Sequence, residues 1–249
     1  MERQVQKVQT EMESISRRAF LAFTAGTAMA PRALRAWPKI AEVPALLDHL
    51  LLGCSDLERG IAFVEEHSGV RAAFGGVHPG RGTQNALLSL GTRRYLEIIA
   101  PDPKQAGVEQ YSVITTLKEP RLIGWAAHRD DLEQFAAQLR QAGIEFEGPQ
   151  PGSRQRPDGQ VLRWKALRLK DDHGGLLPFF IEWSKGSVHP SVDAPKGCTL
   201  TRFEATTPQG EDLLVAACRI HIDLYVSTAN EPSLRATIVG PKGDFALTS

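Results

Sequence analysis

The chain has 249 residues, enough for one large domain or two small ones, and its 42% hydrophobic and 23% charged residues are typical of a soluble globular protein. Because 29 basic residues balance 29 acidic residues, the net charge favours neither nucleic acid nor an anionic membrane as a partner. The three cysteines (Cys54, Cys198 and Cys218) are odd in number and far apart, which argues against a disulfide framework or a thiolate zinc site.

The N-terminal 36 residues carry a pattern typical of an export signal. Two arginines, Arg17 and Arg18, directly precede a weakly apolar stretch over residues 19–30, which is too short to span a bilayer. This pattern resembles a twin-arginine signal and predicts export to the periplasm. The alternative is an N-terminal helix with an accidental arginine pair. The cleavage point stays open, because Pro31 directly follows the small-residue site that ends at Ala30.

From Leu46 to Pro101 the pattern predicts a strand, a helix and three further strands. An apolar run over 46–52 indicates a buried strand, and Ser55 or Asp56 is a suitable N-cap for a helix that ends at Gly69. A strand over 70–76 and a glycine-rich hairpin over 78–101 follow. Glu97 interrupts the last apolar strand. A buried carboxylate is costly unless it is paired, hydrogen-bonded or bound to a metal.

The same order of elements recurs between residues 122 and 183. A strand over 122–128 precedes a helix that starts at Asp131, and three strands follow at 144–147, 162–169 and 179–183. The second copy carries about ten extra residues, which we place in a loop over 149–159. Glu182 stands in its last apolar strand as Glu97 does in the first copy. Glu97 and Glu182 therefore form a pair of carboxylates at matching positions in the two copies.

The remaining residues, 198–249, predict a third unit that follows a linker over 186–197. Strands are predicted at 200–206, 220–226, 234–239 and 245–247, and a helix at 209–217. This unit has no glutamate within an apolar last strand. We therefore expect it to support or cover the first two copies, or to form half of an intermolecular pair in a homodimer.

Several segments together resemble the glyoxalase-like branch of the vicinal-oxygen-chelate superfamily. They read LDHLLLG, HPGRGTQNALLSLG, YLEIIAP and PFFIEW, and the resemblance covers residues 46–190, with modules at 46–101 and 122–183. It implies an α+β fold in which paired βαβββ modules form an open, cup-shaped mixed sheet around a small-molecule site. In that superfamily a divalent metal is commonly held by one residue from the first and one from the last strand of each module. The matching positions here are His49, Glu97, Gly124 and Glu182.

One of these four positions departs from the family pattern, because Gly124 has no side chain to bind a metal. His128 faces the same side of its strand as Gly124 but lies four residues further along, so it does not occupy the matching position. His49, Glu97 and Glu182 alone would suit Zn, Mn, Fe or Ni, and this ligand set selects none of them.

The alternative to a metal site assigns each of these side chains an ordinary role. His49 would then be a hydrogen-bonded core histidine, and Glu182 would face solvent. Glu97 would pair with Arg93 or Arg94.

Five further residues are candidates for ligand binding. The family motif places His78 and Asn85 at the mouth of the cup. Arg156 is either a clamp for a carboxylate or phosphate or a solvated surface residue. Trp164 and Trp183 either form an aromatic wall or belong to the core. His189 falls in the linker, where no functional role is predicted.

Two functions of different classes remain open. The first is an exported metal-dependent lyase, isomerase or dioxygenase, in which the metal chelates two adjacent oxygens of a small substrate and Glu97 or Glu182 acts as the catalytic base. The second is a metal-free protein that binds a small molecule in the same cup. Gly124 favours the second, whereas the two embedded glutamates favour the first.

Overall fold

The computed structural model describes residues 42–105 and 112–249 of the chain. The predicted signal segment, residues 1–36, lies outside the described residues. In the part of the chain that is described, no helix is long and apolar enough to cross a membrane.

The first module has the predicted strand–helix–three-strand order. Its elements are β1 (Leu47–Gly53), α1 (Leu57–Ser68), β2 (Ala73–His78), β3 (Thr83–Ser89) and β4 (Tyr95–Pro101). Asp56 is the N-cap of α1, since its side chain accepts a hydrogen bond from the Arg59 amide at 2.8 Å. Gly69 ends the helix in the left-handed conformation. Both helix boundaries predicted from the sequence are confirmed.

The second module repeats this order after a short helix, α2 (Ser112–Thr115). It consists of β5 (Arg121–His128), α3 (Leu132–Gln141), β6 (Phe146–Gln155), β7 (Val161–Leu169) and β8 (Phe179–Trp183). The predicted loop over 149–159 was wrong for residues 149–155, which belong to β6. Prolines 149 and 151 are compatible with this strand because β6 pairs fully with β7 only, and it meets β2 at the single pair Val77–Gln155.

The two modules form one mixed sheet that closes into a barrel, in the order β1-β4-β3-β2-β6-β7-β8-β5. In each module the first and last strands pair in parallel, as β1 with β4 and β5 with β8. The modules meet through the antiparallel pairs β1–β5 and β2–β6, the second of which is a single residue pair. The predicted α+β fold of paired βαβββ modules is confirmed, and the sheet surrounds a cavity.

The C-terminal unit forms a second sheet against the barrel. After a short helix, α4 (Pro190–Asp193), come β9 (Thr199–Thr207), α5 (Gly210–Arg219), β10 (Tyr225–Thr228), β11 (Ser233–Gly240) and β12 (Gly243–Thr248), with strand order β10-β9-β11-β12. Trp125 of β5 packs edge-on against Phe203 of β9, with ring centroids 5.1 Å apart. Trp125 Nε1 also donates to the Leu176 carbonyl at 3.0 Å. Both aromatic rings are fully buried, so they belong to a core that the two sheets share.

Replacing Trp125 with alanine tests this shared core. We expect W125A to lower the free energy of unfolding by about 3–5 kcal/mol, because it leaves a cavity and an unpaired buried carbonyl. Chemical denaturation measures the change. V239A removes an exposed apolar group from β11 and serves as the control, for which we expect a change within about 0.5 kcal/mol. Equal stability of W125A and V239A would contradict the shared core.

Candidate functional site

A cavity of about 60 Å³, partly open to solvent, lies inside the barrel. Because successive side chains of a strand point to opposite faces, alternate residues of each strand face this space. Side chains from both modules line it: His49, Leu51, His78, Arg81, Asn85, Tyr95, Glu97, Ile99, Arg154, Trp164, Ala166, Arg168, Phe179, Ile181 and Trp183.

A β-bulge at Asp48 brings two consecutive side chains to one site. The β1–β5 register shifts between Leu47 and His49, so Asp48 is the extra residue. Its carboxylate is fully buried and lies 2.7 Å from His49 Nδ1, although adjacent strand residues ordinarily point apart. Bulges re-aim side chains in this way.

The Asp48 carboxylate accepts two further hydrogen bonds, both at Oδ2. Trp183 Nε1 donates at 3.1 Å, and His189 Nε2 lies at 3.1 Å. Because the Ser191 amide donates to His189 Nδ1, neutral His189 carries its proton on Nε2 and donates it to Asp48. Asp48 therefore joins β1, β8 and the segment that leads into α4.

His49 is oriented by Asp48 on one side and faces Glu97 on the other. With Nδ1 donating to Asp48, the Nε2 atom of a neutral ring carries a lone pair and lies 3.5 Å from Glu97 Oε2. The ring stacks on Tyr95 at a centroid distance of 4.6 Å, and Phe179 meets its edge at 5.6 Å. The Nε2 atom of His49 is thus the basic nitrogen that this arrangement directs into the cavity.

Glu97 is held from its other oxygen by a chain of side chains from three strands. Asn85 Nδ2 donates to Glu97 Oε1 at 2.7 Å, and Arg154 Nη1 donates to Asn85 Oδ1 at 2.7 Å, which fixes the orientation of the amide. Gly75 permits this approach, because a Cβ there would lie 2.4 Å from Arg154 Nη1. Because these hydrogen bonds hold Oε1, the carboxylate oxygen nearest His49 is Oε2.

Both buried carboxylates are ionised at neutral pH. Burial alone would raise the pKa of Asp48, but the hydrogen bonds from His189 and His49 outweigh it and hold that pKa well below its usual range. Burial likewise opposes the ionisation of Glu97. The neighbouring His78 and His49 and the Asn85 hydrogen bond lower the pKa of Glu97 below its ordinary value. His49 therefore lies between two negative charges.

The structure does not bring Glu182 to this cavity. Ile181 and Trp183 face the cavity from β8, whereas Glu182 Oε2 accepts a hydrogen bond from the Leu132 amide at 2.8 Å, at the start of α3. The predicted alignment of Glu182 with Glu97 is therefore wrong by one residue. A shift of one residue along a strand moves a side chain to the opposite face of the sheet. Glu182 stabilises a helix N-terminus outside the barrel.

The family's four metal positions do not fit a metal in this chain. Gly124 offers no donor, and a Cβ built there would meet nothing within 4 Å. Glu182 lies outside the barrel, and His128 is half-buried with Nδ1 unpaired and does not line the cavity. Within residues 42–105 and 112–249, no three histidine, cysteine or acidic side chains are grouped to hold a metal ion. His49 and Glu97 are the two donors that remain.

The other predicted ligand-binding residues divide into two groups. His78, Asn85, Trp164 and Trp183 line the cavity, and the two tryptophan rings lie 5.6 Å apart. Arg156 does not line the cavity, because its guanidinium pairs with Asp193 at 2.6 Å and with Asp158 at 3.2 Å.

Sequence reasoning missed several residues that the structure brings to the site, among them Arg154, His189 and Asp48. Arg154 occurs in the segment that was predicted to be a loop, so its strand position could not be used. His189 was assigned to a linker, although it contacts Asp48. Asp48 is a carboxylate within the apolar run over 46–52, and that position was the available signal.

Two arginines of the cavity, Arg81 and Arg168, have no acidic partner among the described residues. Neither side chain makes a hydrogen bond or ion pair in that part of the chain. Arg168 instead lies over the Phe179 ring, with Cζ 4.7 Å from the centroid. Unpaired guanidinium groups beside aromatic walls suit an organic anion.

His78 generates a prediction about pH. Burial lowers the pKa of His78 from 6.5 to about 4, so the unfolded chain binds a proton here that the folded chain excludes. Protonation of His78 therefore stabilises the unfolded state as the pH falls from 6.5 to 4. We expect it to lower the free energy of unfolding by roughly 3 kcal/mol across that window. Urea denaturation at several pH values measures it. A profile for H78Q as steep as that of the unmodified protein would contradict the assignment.

Comparisons with known proteins give one matching family and several solved structures that the chain resembles. A family model described as "Glyoxalase-like domain" matches residues 47–217. A hypothetical protein from Staphylococcus aureus is 16% identical over 81% of this chain and 84% of its own, with a TM-score of 0.56. Methylmalonyl-CoA epimerase from Mycobacterium tuberculosis is 21% identical over 55% and 85%, with a TM-score of 0.40. A Streptomyces coelicolor methylmalonyl-CoA epimerase variant in complex with 2-nitronate-propionyl-CoA is 20% identical over 55% and 95%, with a TM-score of 0.42. No curated protein matches. The family match covers more than half of the sequence, and the chain therefore belongs to the glyoxalase-like domain family.

Proposed function

We propose that this protein is an enzyme that moves a proton on a small oxygenated anion bound inside the barrel, with His49 as the base. The observation that carries the proposal is the position of His49, whose Nδ1 is held by the buried Asp48 carboxylate while Nε2 lies in the cavity 3.5 Å from Glu97 Oε2. This is the arrangement in which a carboxylate orients an imidazole and stabilises its protonated form.

The charges around His49 support a base that becomes an imidazolium ion. When Nε2 takes a proton from a substrate carbon, the positive ring lies between two ionised carboxylates, Asp48 and Glu97. Because both are buried, their attraction for the ring is screened less than it would be in water. Proton abstraction next to a carbonyl belongs to lyase and isomerase chemistry, and the four-position metal site of the superfamily is not required for it.

The arginines support an anionic substrate. Arg154 is buried beside Asn85, and Arg168 and Arg81 are free to bind oxygen atoms. A guanidinium donates in a fixed fork that matches a carboxylate, and it stabilises the negative charge that develops on a substrate oxygen when a proton leaves the adjacent carbon. Tyr95, Trp164 and Trp183 supply flat walls for the rest of the molecule.

A metal-free binding protein is the second candidate. It is favoured by the completeness of the network around Glu97, in which Asn85, Arg154, His78 and Thr83 satisfy one another, with His78 Nδ1 2.9 Å from Thr83 Oγ1. A fully satisfied polar network rigidifies a cavity. In this function the same arginines and tryptophans recognise the ligand, and His49 is structural.

Hydrogen–deuterium exchange on small 2-oxo acids tests the enzyme. Pyruvate and phenylpyruvate are incubated with the protein in D₂O, and loss of the proton signal on the carbon next to the carbonyl is followed by NMR. We expect exchange faster than in buffer, and a loss of at least about 100-fold in H49Q, because a general base contributes about that much or more. H67Q, which changes an exposed histidine on α1, is the matched control and is expected to retain full exchange.

The outcomes separate the candidates. Full exchange by H49Q would contradict the role of His49. Exchange lost on dialysis against a chelator and restored by a divalent cation would contradict chemistry that needs no metal. Binding of both acids without exchange would favour the binding protein.

Export through the twin-arginine pathway is a further proposal, and it rests on Arg17 and Arg18. We expect the full chain expressed in a bacterium to reach the periplasm, and the double variant R17K/R18K to remain in the cytoplasm. Cell fractionation with immunoblotting measures both. Equal periplasmic amounts of the two proteins would contradict the proposal, and R3K/R32K, which changes two other arginines of the segment, is the control.

A further inference from the structure

We infer that the ligand is an amphiphilic carboxylate, whose anionic end binds Arg168 and whose apolar chain occupies a second cavity beside the one that holds His49. The inference rests on the proposed function, because it names the class of molecule that the same site takes. It is carried by a second cavity of about 400 Å³, which shares Leu51, Arg168 and Phe179 with the first.

Arg168 is the charged residue at the junction of the two cavities. It lines both of them, and the Phe179 ring lies between it and the catalytic end, since the same ring contacts the edge of His49. Its cross-strand neighbour Glu147 is exposed and makes no ion pair with it within the described residues. A guanidinium without a counter-charge inside a cavity is a site for an anion.

The walls of the second cavity suit a hydrocarbon chain. Beyond Arg168 they consist mainly of apolar side chains, among them Val113, Ile114, Ile123 and Leu177. Among the described residues of this wall, the other charged one is Asp172, which is exposed and whose carboxylate accepts from the Gly175 amide. The positive charge of Arg168 is therefore at the inner end of the second cavity, and the negative charge of Asp172 is at its outer end. This polarity places a carboxylate inside and the chain toward the mouth.

Gly124 opens this space. It lies opposite Leu51 in the β1–β5 register and lines the second cavity, and a Cβ at this position would meet nothing within 4 Å. A metal-binding side chain there would extend into the space that we assign to the chain. Gly124 thus has two consequences. It removes a metal ligand from the family pattern, and it enlarges the site for an apolar substituent.

A series of straight-chain carboxylates from acetate to decanoate tests the inference, with binding followed by calorimetry and tryptophan fluorescence. We expect affinity to rise about fourfold for each added methylene. The alcohol of each length is expected to bind at least about tenfold more weakly than the acid. We expect R168Q to weaken the binding of the acids about tenfold or more without changing the binding of the alcohols.

I123W narrows the second cavity, so we expect this variant to keep its affinity for butyrate and to lose the gain in affinity from longer chains. V239W adds the same group to β11 as the control.

Affinity that does not depend on chain length, or equal affinity for decanoate and decanol, would overturn the inference.

Because binding alone is measured, the series can be repeated in H49Q. Loss of exchange in H49Q with the chain-length dependence intact supports both the base and the ligand class. A flat series in a protein that still exchanges pyruvate would reject the ligand class alone. A rising series in a protein that exchanges no 2-oxo acid would reject the base alone. Should I123W fail to fold, V113W at the exposed mouth tests the same chain path.

Discussion

The buried carboxylate of Asp48 is the interaction on which the site depends. It accepts hydrogen bonds from His49, Trp183 and His189, which come from β1, β8 and the segment before α4. A buried charge without such partners would be strongly destabilising. The three donors therefore both stabilise the fold and determine where the imidazole of His49 points. Their convergence requires the β-bulge, because without the extra residue Asp48 and His49 would lie on opposite faces of the barrel.

The two modules share an architecture but contribute different chemistry. The first supplies His49, Glu97, His78 and Asn85, whereas the second supplies mainly aromatic side chains and arginines, with Ile181 and Trp183 facing the cavity from the last strand. Members of this superfamily often use divalent metals, for which both modules contribute donors. In this chain the second module has lost both donor positions, one to Gly124 and the other to a register in which Glu182 faces outward. We attribute the acid–base groups to the first module and most of the ligand recognition to the second, to which the first adds Arg81 and Tyr95.

The sequence predicts the fold well because its periodicity and capping residues act locally. Asp56 and Asp131 mark the helix starts, and each accepts the expected backbone hydrogen bond. The apolar residues around Glu97 marked it as unusual, and the structure buries it. Three features could not be predicted, for physical reasons. β8 is apolar on both faces, so nothing in its pattern sets the register of Glu182. The bulge at Asp48 depends on pairing with β5, which is distant in sequence. Arg154 lies in a proline- and glycine-rich segment whose strand character comes from its pairing with β7.

The hydrogen bond to Asp48 holds the proton of His49 on Nδ1 and leaves Nε2 free to act on a ligand. Long-range ¹H–¹⁵N correlation spectra of the histidine rings, with His49 assigned by comparison with H49Q, measure this directly at a pH where the ring is neutral. We expect a ¹⁵N shift typical of N–H for Nδ1 and of an unprotonated nitrogen for Nε2. A ring with its proton on Nε2 would place a lone pair against the Asp48 carboxylate and would contradict this assignment.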